Sequence, residues 1–548
     1  MLMMLLRRLP RRLRDDRGFT MIFAIMVLFI TSLFVAGAFV AVEGDVQQTA
    51  TNTAADKAYY AAEAGVQVFL YNLNTNSSYW EKCAHPEKVA VPGASEETYS
   101  YETLPSTAAK KKGEGCVAEH SATIIESGNS ATGTFRVKIT GEASNGTAVK
   151  PKRTIVATFD HPGFLNYVFL SVYEVEDPST TGATQVNCEK FYPSRSNTEC
   201  PAIPFVPGDK INGPFHTDDS VALCGNTSFG RTGHNDKIEV KGEFYKWPEL
   251  FTCTNNPTEH GEYIHGEKVE ELKPPSTDYE LLESAGLTFE GRTVIELEGN
   301  MMKVVNSEFP KGEKIPFPES GVIYVQNAEK GTCPKYTPFN GNETYEGDAA
   351  CGDVYVKGTY SKSLTIGAQN DVIIVGSVTE ESTKGANVQP TGTATLGLIA
   401  EEFVRVFHPV KCTFTCTDTK THGSVNGSCN YSDGAEKEGP PEKWGYEAYG
   451  AKSGWGSTTS PIIDAAILST KHSFIVDHFL CGNNLGTLHV WGAIAQFWRG
   501  RVCCATTLEP GTGYLKEYNY DERLKTDQPP SFLSPTSTGG WKIERETE

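Results

Sequence analysis

Side chains able to do acid–base or metal chemistry gather at a few places in this chain. The densest acidic group is His216-Thr217-Asp218-Asp219, with His234 and Asp236 downstream. A glycan hydrolase or lyase would need paired carboxyl groups about 5 to 10 Å apart, or a metal with a basic side chain, on one exposed face. Neighbours on a strand point to opposite faces, so Asp218 and Asp219 can address one substrate only from a turn, and they read first as turn-capping residues. His408, just before Pro409, and His472 and His478, on either side of Asp477, read likewise as corner residues. Cys412, Cys416, His422 and Cys429 offer three thiolates and an imidazole, nominally a tetrahedral zinc set. No GxSxG, phosphate-binding loop, dinucleotide fingerprint or HExxH motif stands at a usable position, so no motif marks a nucleophilic, phosphoryl or zinc-protease site. Trp491 and Trp498 flank an apolar run and read as core rather than as a sugar-stacking platform. No catalytic residue, cofactor or metal is assigned.

The compartment decides the cysteine chemistry. Residues 19–42 read FTMIFAIMVLFITSLFVAGAFVAV, 24 positions without a charge, enough to cross about 30 Å of hydrocarbon as a helix. A secretory signal has an apolar core of only about 7 to 15 residues. The first 18 residues carry six arginines against Asp15 and Asp16, a net of +4 that leaves −23 for the rest of the 548-residue chain. The arginines keep the leader cytoplasmic and send everything after Val42 outward. All 14 cysteines follow residue 80, in an oxidising space, where disulfides prevail over zinc ligation. Neighbours in sequence pair Cys83 with Cys116, Cys188 with Cys200, Cys224 with Cys253, and Cys333 with Cys351; Cys481 takes Cys503 or Cys504, and the other of these reaches back to the Cys412, Cys416 and Cys429 group. A net charge of −19 has the wrong sign for neutralising phosphates, which excludes a nucleic-acid partner.

No proline interrupts residues 19–73, so the membrane helix is expected to run on as one rod of roughly 80 Å. Val46, Ala50, Ala54, Ala58, Ala61, Gly65, Val68 and Leu73 keep one face of it small or apolar. Asp16-Arg17-Gly18-Phe19-Thr20-Met21, a basic leader ending in Gly before an apolar helix, resembles the signal of type IV pilins. That resemblance implies that prepilin peptidase cuts after Gly18 and methylates the new amino terminus, Phe19. The run Ala58 to Gly65 (AYYAAEAG) is similar to PilX-type minor pilins. Major pilins carry Glu at the fifth mature residue, where this chain has Phe23. A carboxylate at that depth is costly without a partner, and its absence fits a tip or minor subunit. The partners implied are other pilins along the helix, the peptidase, the membrane and an unidentified surface ligand.

Residues 74–165 are expected to form a small pilin-like head. Its hairpin comprises 134–143, with Phe135, Val137 and Ile139 on one face, and 152–160, with Ile155, Ala157 and Phe159 on another. Residues 166–548 change to short apolar runs between polar turns. Ile366-GAQNDVII, Leu398-IAEEFVRV and Ile467-LSTKHSFI align as imperfect repeats, the pattern of stacked coils. The fold expected is therefore α+β but mostly β: a long transmembrane helix, a small hairpin region and a parallel β-helix-like ectodomain, with a β-sandwich as the alternative. One helix is expected over 274–286, with Thr277 and Glu280 as a capping box and Gly286 as a left-handed stop, forming a lid over one end or side of the coil. Gly213-PFHTDD, Gly291-RTVIELEG, 465–477, Gly486-TLHVWGAIAQ and 518–533 resemble, patchily, the outer part of large PilX-like surface proteins of Gram-positive bacteria, a likeness that carries no catalytic role. Together these readings describe a minor pilin-like subunit that primes, caps or decorates a type IV pilus or related pseudopilus and presents a contact surface. It would be a single-pass protein with its carboxy-terminal domain outside, pilus-associated after processing. The alternatives are an unassembled membrane-anchored adhesin and a tethered polysaccharide-degrading enzyme.

Overall fold

The computed structural model describes residues 19–75, 84–91, 98–103, 133–143, 150–161, 163–247, 252–334, 336, 349–415, 421–425, 428–431, 443–448, 458–479, 483–503, 512–525, 527–536 and 542–547. Gly18, Cys83, Cys116, Cys416, Cys481 and Cys504 lie outside the described residues, as do the side chains of Phe19, Cys412, His422 and Cys429.

A single helix runs Phe19–Thr75. Thr31 and Ser32, polar side chains within its apolar stretch, donate within their own turns to the carbonyls of Val27 and Phe29, each at 2.8 Å. From Ala54 onward the helix packs on a small antiparallel sheet whose strands lie in the order Ala84–Ala90, Thr98–Thr103, Gly133–Glu142, Lys152–His161 and Lys542–Thr547. Ala54, Ala58, Ala61 and Gly65 are buried as the expected face requires, whereas Val46 and Ala50 are exposed, because burial against the sheet begins only at Ala54. Phe135 pairs with Phe159, Val137 with Ala157 and Ile139 with Ile155. Val137 and Ile139 are therefore buried on the same face of the sheet as Ile155, Ala157 and Phe159 rather than on a different one, and Phe69 of the helix meets Phe159 at 5.0 Å. The last strand, Lys542–Thr547, pairs with Lys152–His161, so the ectodomain expected over 166–548 gives its carboxy-terminal strand back to the small sheet.

The remaining chain winds into a parallel β-helix-like coil with three strand-bearing faces. The first face stacks Leu287–Glu290, Val322–Gln326, Leu364–Ala368, Leu396–Ala400, the second half of Ile462–Ser469 and the corresponding part of Asn484–Arg499, every step parallel. Parallel ladders exclude the β-sandwich, whose two packed sheets are antiparallel. Ile366, Leu398 and Ile467 occupy one column, as the repeat alignment requires. Past the corner the alignment slips by one, since Val404 pairs with Phe474 and not Ser473. The corner 470–473 simply holds one residue more than 401–403.

The stack does not follow chain order. Strand Phe169–Glu176, the first of the coil in sequence, adds to the far side of Asn484–Arg499, one of the last. Beyond it come Phe215–Thr217, Asp236–Val240 and Asn255–His265. An inward column thus runs Ile323, Ile366, Leu398, Ile467, Ile494, Phe169, Phe215 and Ile238 through the whole body, all of it buried. On a second face Glu517 and Tyr518 of Gly513–Tyr520 pair with Lys210 and Ile211 of Lys210–Asn212.

This order obliges residues 266–286 to travel back along the stack. The amide of Leu272 donates to Asp218 at 3.2 Å, Thr277 Oγ1 to Glu401 at 2.9 Å, and Asp278 accepts from Tyr324 at 2.7 Å, contacts that progress from one end of the coil toward the other. The segment is a strap along one side, and with Leu524, Phe532 and Leu533 it covers the outward residues Leu170, Ile399, Leu468 and Tyr324. Both sides of the first face are therefore buried, which accounts for its uninterrupted apolar runs. The expected helix shrinks to Glu280–Ser284 and the capping box does not form: Tyr279 takes the cap position without a side-chain bond. Thr277 Oγ1 accepts from the Tyr279 amide at 3.1 Å, not from that of Glu280, and donates to Glu401. Gly286 is not left-handed either; a Cβ there would press on Pro318 and Ser320 while its amide donates to Val322 at 3.0 Å. Disulfides Cys188–Cys200, Cys224–Cys253 and Cys333–Cys351 form as the neighbour pairing expects, and Cys503 is also disulfide-bonded.

Gly141 sets how closely helix and small sheet approach, since a Cβ there would collide with the Ala58 carbonyl and the Ala62 amide. Gly141→Val is expected to destabilise this packing by about 1–3 kcal/mol. The measurement is hydrogen exchange, with faster exchange at Ala58–Phe69 and unchanged protection in the coil; equal protection at the helix would refute the close approach.

Candidate functional site

The helix is unusual in what it leaves uncovered. Every side chain described from Met21 to Glu43 is exposed, including Ile22, Phe23, Leu28, Phe29 and Phe34. The most apolar 18-residue window has mean hydropathy 2.6 and none of it is buried within the chain. An apolar surface of this extent is stable in lipid or against other apolar helices, not in water. By length and composition the helix can cross a membrane, and the disulfides in the folded body belong to an oxidising compartment.

The acidic residues singled out for chemistry, Asp218, Asp219 and Asp236, are buried in the coil. Asp218 and Asp219 are both buried in the bend that follows strand Phe215–Thr217, the turn position their sequence reading assigns them, and they take different partners. Asp218 accepts from His216 Nε2 at 3.0 Å and from the strap. Asp219 pairs with Arg195 and accepts from the amides of Glu174 and Tyr192, each at 3.0 Å. Burial, the leading influence, raises the Asp219 pKa despite Arg195. His234 is exposed in a turn, and Asp236 is engaged by Arg231 at 2.5 Å, so the four residues do not converge on one site. His408 is buried with Nδ1 3.0 Å from the Asp477 carbonyl, and burial lowers its pKa to about 4. His478 follows the short strand Phe474–Val476 at φ 45°, a corner as expected. Trp498 stacks on Tyr173 at 4.7 Å in the core, while Trp491 is half-buried and donates to the Ala386 carbonyl at 2.7 Å. Among the described residues no three His, Cys, Asp or Glu groups are placed to hold a metal.

Two histidines are instead clamped between carboxylates. His216 meets Asp218 at 3.0 Å and Glu239 at 2.9 Å, and His472 meets Asp177 at 2.7 Å and Glu402 at 2.9 Å. Burial works against the imidazolium in both, but the carboxylate hydrogen bonds outweigh it and raise the pKa to about 8 and about 9 respectively. The buried cations Arg195, Arg405 and Arg499, which sequence reading passed over, do similar work. Arg405 spans Asp371 at 3.0 Å and Asp477 at 2.9 Å under the ring of Tyr336, and Arg499 holds Glu174 at 2.5 Å. Arg405 has one sequence signal, a charge inside the apolar run Val404-Arg405-Val406, whereas Arg195 stands between Ser194 and Ser196 and carries no such signal. These groups tie adjacent turns of the coil together and make no solvent-facing carboxylate pair.

No protein-family model and no curated protein matches the chain. Among solved structures, the competence-associated pilin ComZ from Thermus thermophilus aligns over 90% of this chain and 97% of its own at 12% identity, with a TM-score of 0.24. Similarity at that level carries no argument about fold or function.

The clamped histidines make stability depend on pH. Their folded pKa values lie above the ordinary 6.5, so their contribution is complete below about pH 6.5 and disappears as pH rises through 8 and 9. For His216 this amounts to about 2 kcal/mol. The thermal midpoint of the coil is expected to fall between pH 7 and pH 10, and His472→Gln to fall less over the same interval. Parallel curves for the two proteins would show that the His472 clamp does not contribute.

Proposed function

We propose that this chain is a non-enzymatic, pilin-like minor subunit that is anchored by its amino-terminal helix, trimmed after Gly18 and used to prime, cap or decorate a type IV pilus or related pseudopilus. One observation carries the reading: an apolar helix, fully exposed in its first half and packed on a small antiparallel sheet in its second, continues directly from the leader sequence Asp16-Arg17-Gly18-Phe19. The exposed half needs a cover, and lipid before assembly followed by neighbouring pilin helices after it supplies one throughout. Phe23 in place of a carboxylate supports a position that need not dock on a subunit ahead. The run Ala58 to Gly65 draws the reading toward PilX-type subunits. The burial and pairing of Asp218 and Asp219 support a structural role over glycan cleavage. The coil then serves as a surface-contact body outside the membrane.

The test is the intact mass and amino-terminal sequence of the native protein from cells with and without prepilin peptidase. A chain beginning at methylated Phe19 only when the peptidase is present is expected, with Gly18→Val left untrimmed. A chain beginning at Met1 in both strains would overturn the proposal in favour of an adhesin on an uncleaved anchor.

A further inference from the structure

We propose that Lys516 and Asp209 condense to an amide that joins the two sequence-distant parts of the coil where they meet. The Lys516 Nζ lies 2.8 Å from Asp209 Oδ2 across 307 residues of sequence, with the two side chains 6% and 0% exposed. Tyr514, Lys516, Tyr518 and Tyr520 are the buried, inward-pointing alternation of strand Gly513–Tyr520, so a lysine occupies what is otherwise an aromatic position. The adjacent pairing of Glu517 with Lys210 is the seam between the carboxy-terminal and amino-terminal strands of the coil.

The residue type matters. Among the described residues, every other ion pair with both side chains buried uses Arg195, His216, Arg405 or Arg499 as its cation. A guanidinium cannot become a nucleophilic amine in a protein, whereas a buried lysine can. The surroundings favour the neutral amine: burial first, then Arg499 and Arg501 working against Asp209, hold the Lys516 ammonium below its ordinary value. The ring of Phe205 stands 5.8 Å from the nitrogen, in the same apolar cluster as Tyr518 and Ile211. Asp209 Oδ2 also accepts from the Val206 amide at 3.0 Å, while Oδ1 is buried without a hydrogen-bond partner.

The step balances without a co-reactant. The ammonium passes one proton to the Asp209 carboxylate, giving a neutral amine beside a carboxylic acid. The nitrogen lone pair attacks the Asp209 carboxyl carbon, the C–OH bond breaks as the N–C bond forms, and the hydroxyl leaves with a proton from nitrogen as one water. Nothing is oxidised or reduced.

Mass spectrometry of the purified full chain, reduced and alkylated, tests this directly. The wild type is expected one water lighter than its sequence from the observed amino terminus, and its digest to contain a branched peptide joining the segments around Asp209 and Lys516. Lys516→Arg, which keeps the ion pair but has no free amine, is expected at the full mass. A wild-type chain at full mass overturns the proposal, and so does a loss of water confined to a single peptide at Asp209-Lys210, which would mark a cyclic imide.

Discussion

The strand pairing of Phe169–Glu176 with Asn484–Arg499 is the contact on which the rest of the architecture depends. A coil of this kind buries each turn only against its neighbours, so a strand left without a neighbour is an open edge. Placing the first strand of the domain beyond one of its last makes the amino-terminal and carboxy-terminal parts one continuous body with a single inward column from Ile323 to Ile238. The cost is topological. The chain reaches one end of the stack at Asn255–His265 and must resume at the other with Leu287–Glu290. Residues 266–286 make that journey, and in doing so they cover outward residues that would otherwise face water.

The buried charges follow from the same arrangement. Corners between faces carry backbone groups that no ladder satisfies, and an unpaired buried group is expensive. Asp219 accepts from Glu174 and Tyr192, and Asp371 accepts from Phe403 while holding Arg405. Each carboxylate thereby needs a cation, and each cation lies on a neighbouring turn. Such pairs add little net stability compared with apolar packing. Their effect is on register, since a slip of one turn would strand a charge in the core.

Much of this was legible in local pattern. The proline-free run predicts the helix, alternation predicts both strands of the small hairpin, and the column of Ile366, Leu398 and Ile467 emerges from repeat alignment alone. Among the described residues Cys188–Cys200, Cys224–Cys253 and Cys333–Cys351 pair as their spacing implies. What local pattern does not encode is the order of stacking, because every turn presents the same apolar column and any two could adjoin. The extra residue at corner 470–473 has the same origin, since the tertiary pairing of Val404 with Phe474 outweighs the local alignment. At Thr277 the hydroxyl accepts from the Tyr279 amide, one residue short of the capping-box position, while donating to Glu401. Lys516 was hidden for the opposite reason: a lysine in a strand reads as solvent-facing until the partner 307 residues away is known.

The position of the coil within the chain bears on how it would carry load. It is inserted between two strands of the small sheet, and Asp160, near the end of one, pairs with Lys542, at the start of the other. Entry and exit therefore lie side by side, and force transmitted from the helix through the sheet reaches the coil at both together. On the entry side it arrives at Phe169–Glu176, which is not a terminal strand but is held between Asn484–Arg499 and Phe215–Thr217. Pulling that strand free requires two parallel ladders to fail at once, whereas a strand at the end of the stack would give up only one. Insertion at an interior turn thus protects the point of attachment, and it does so through strand order alone, before any covalent bond at the seam is counted.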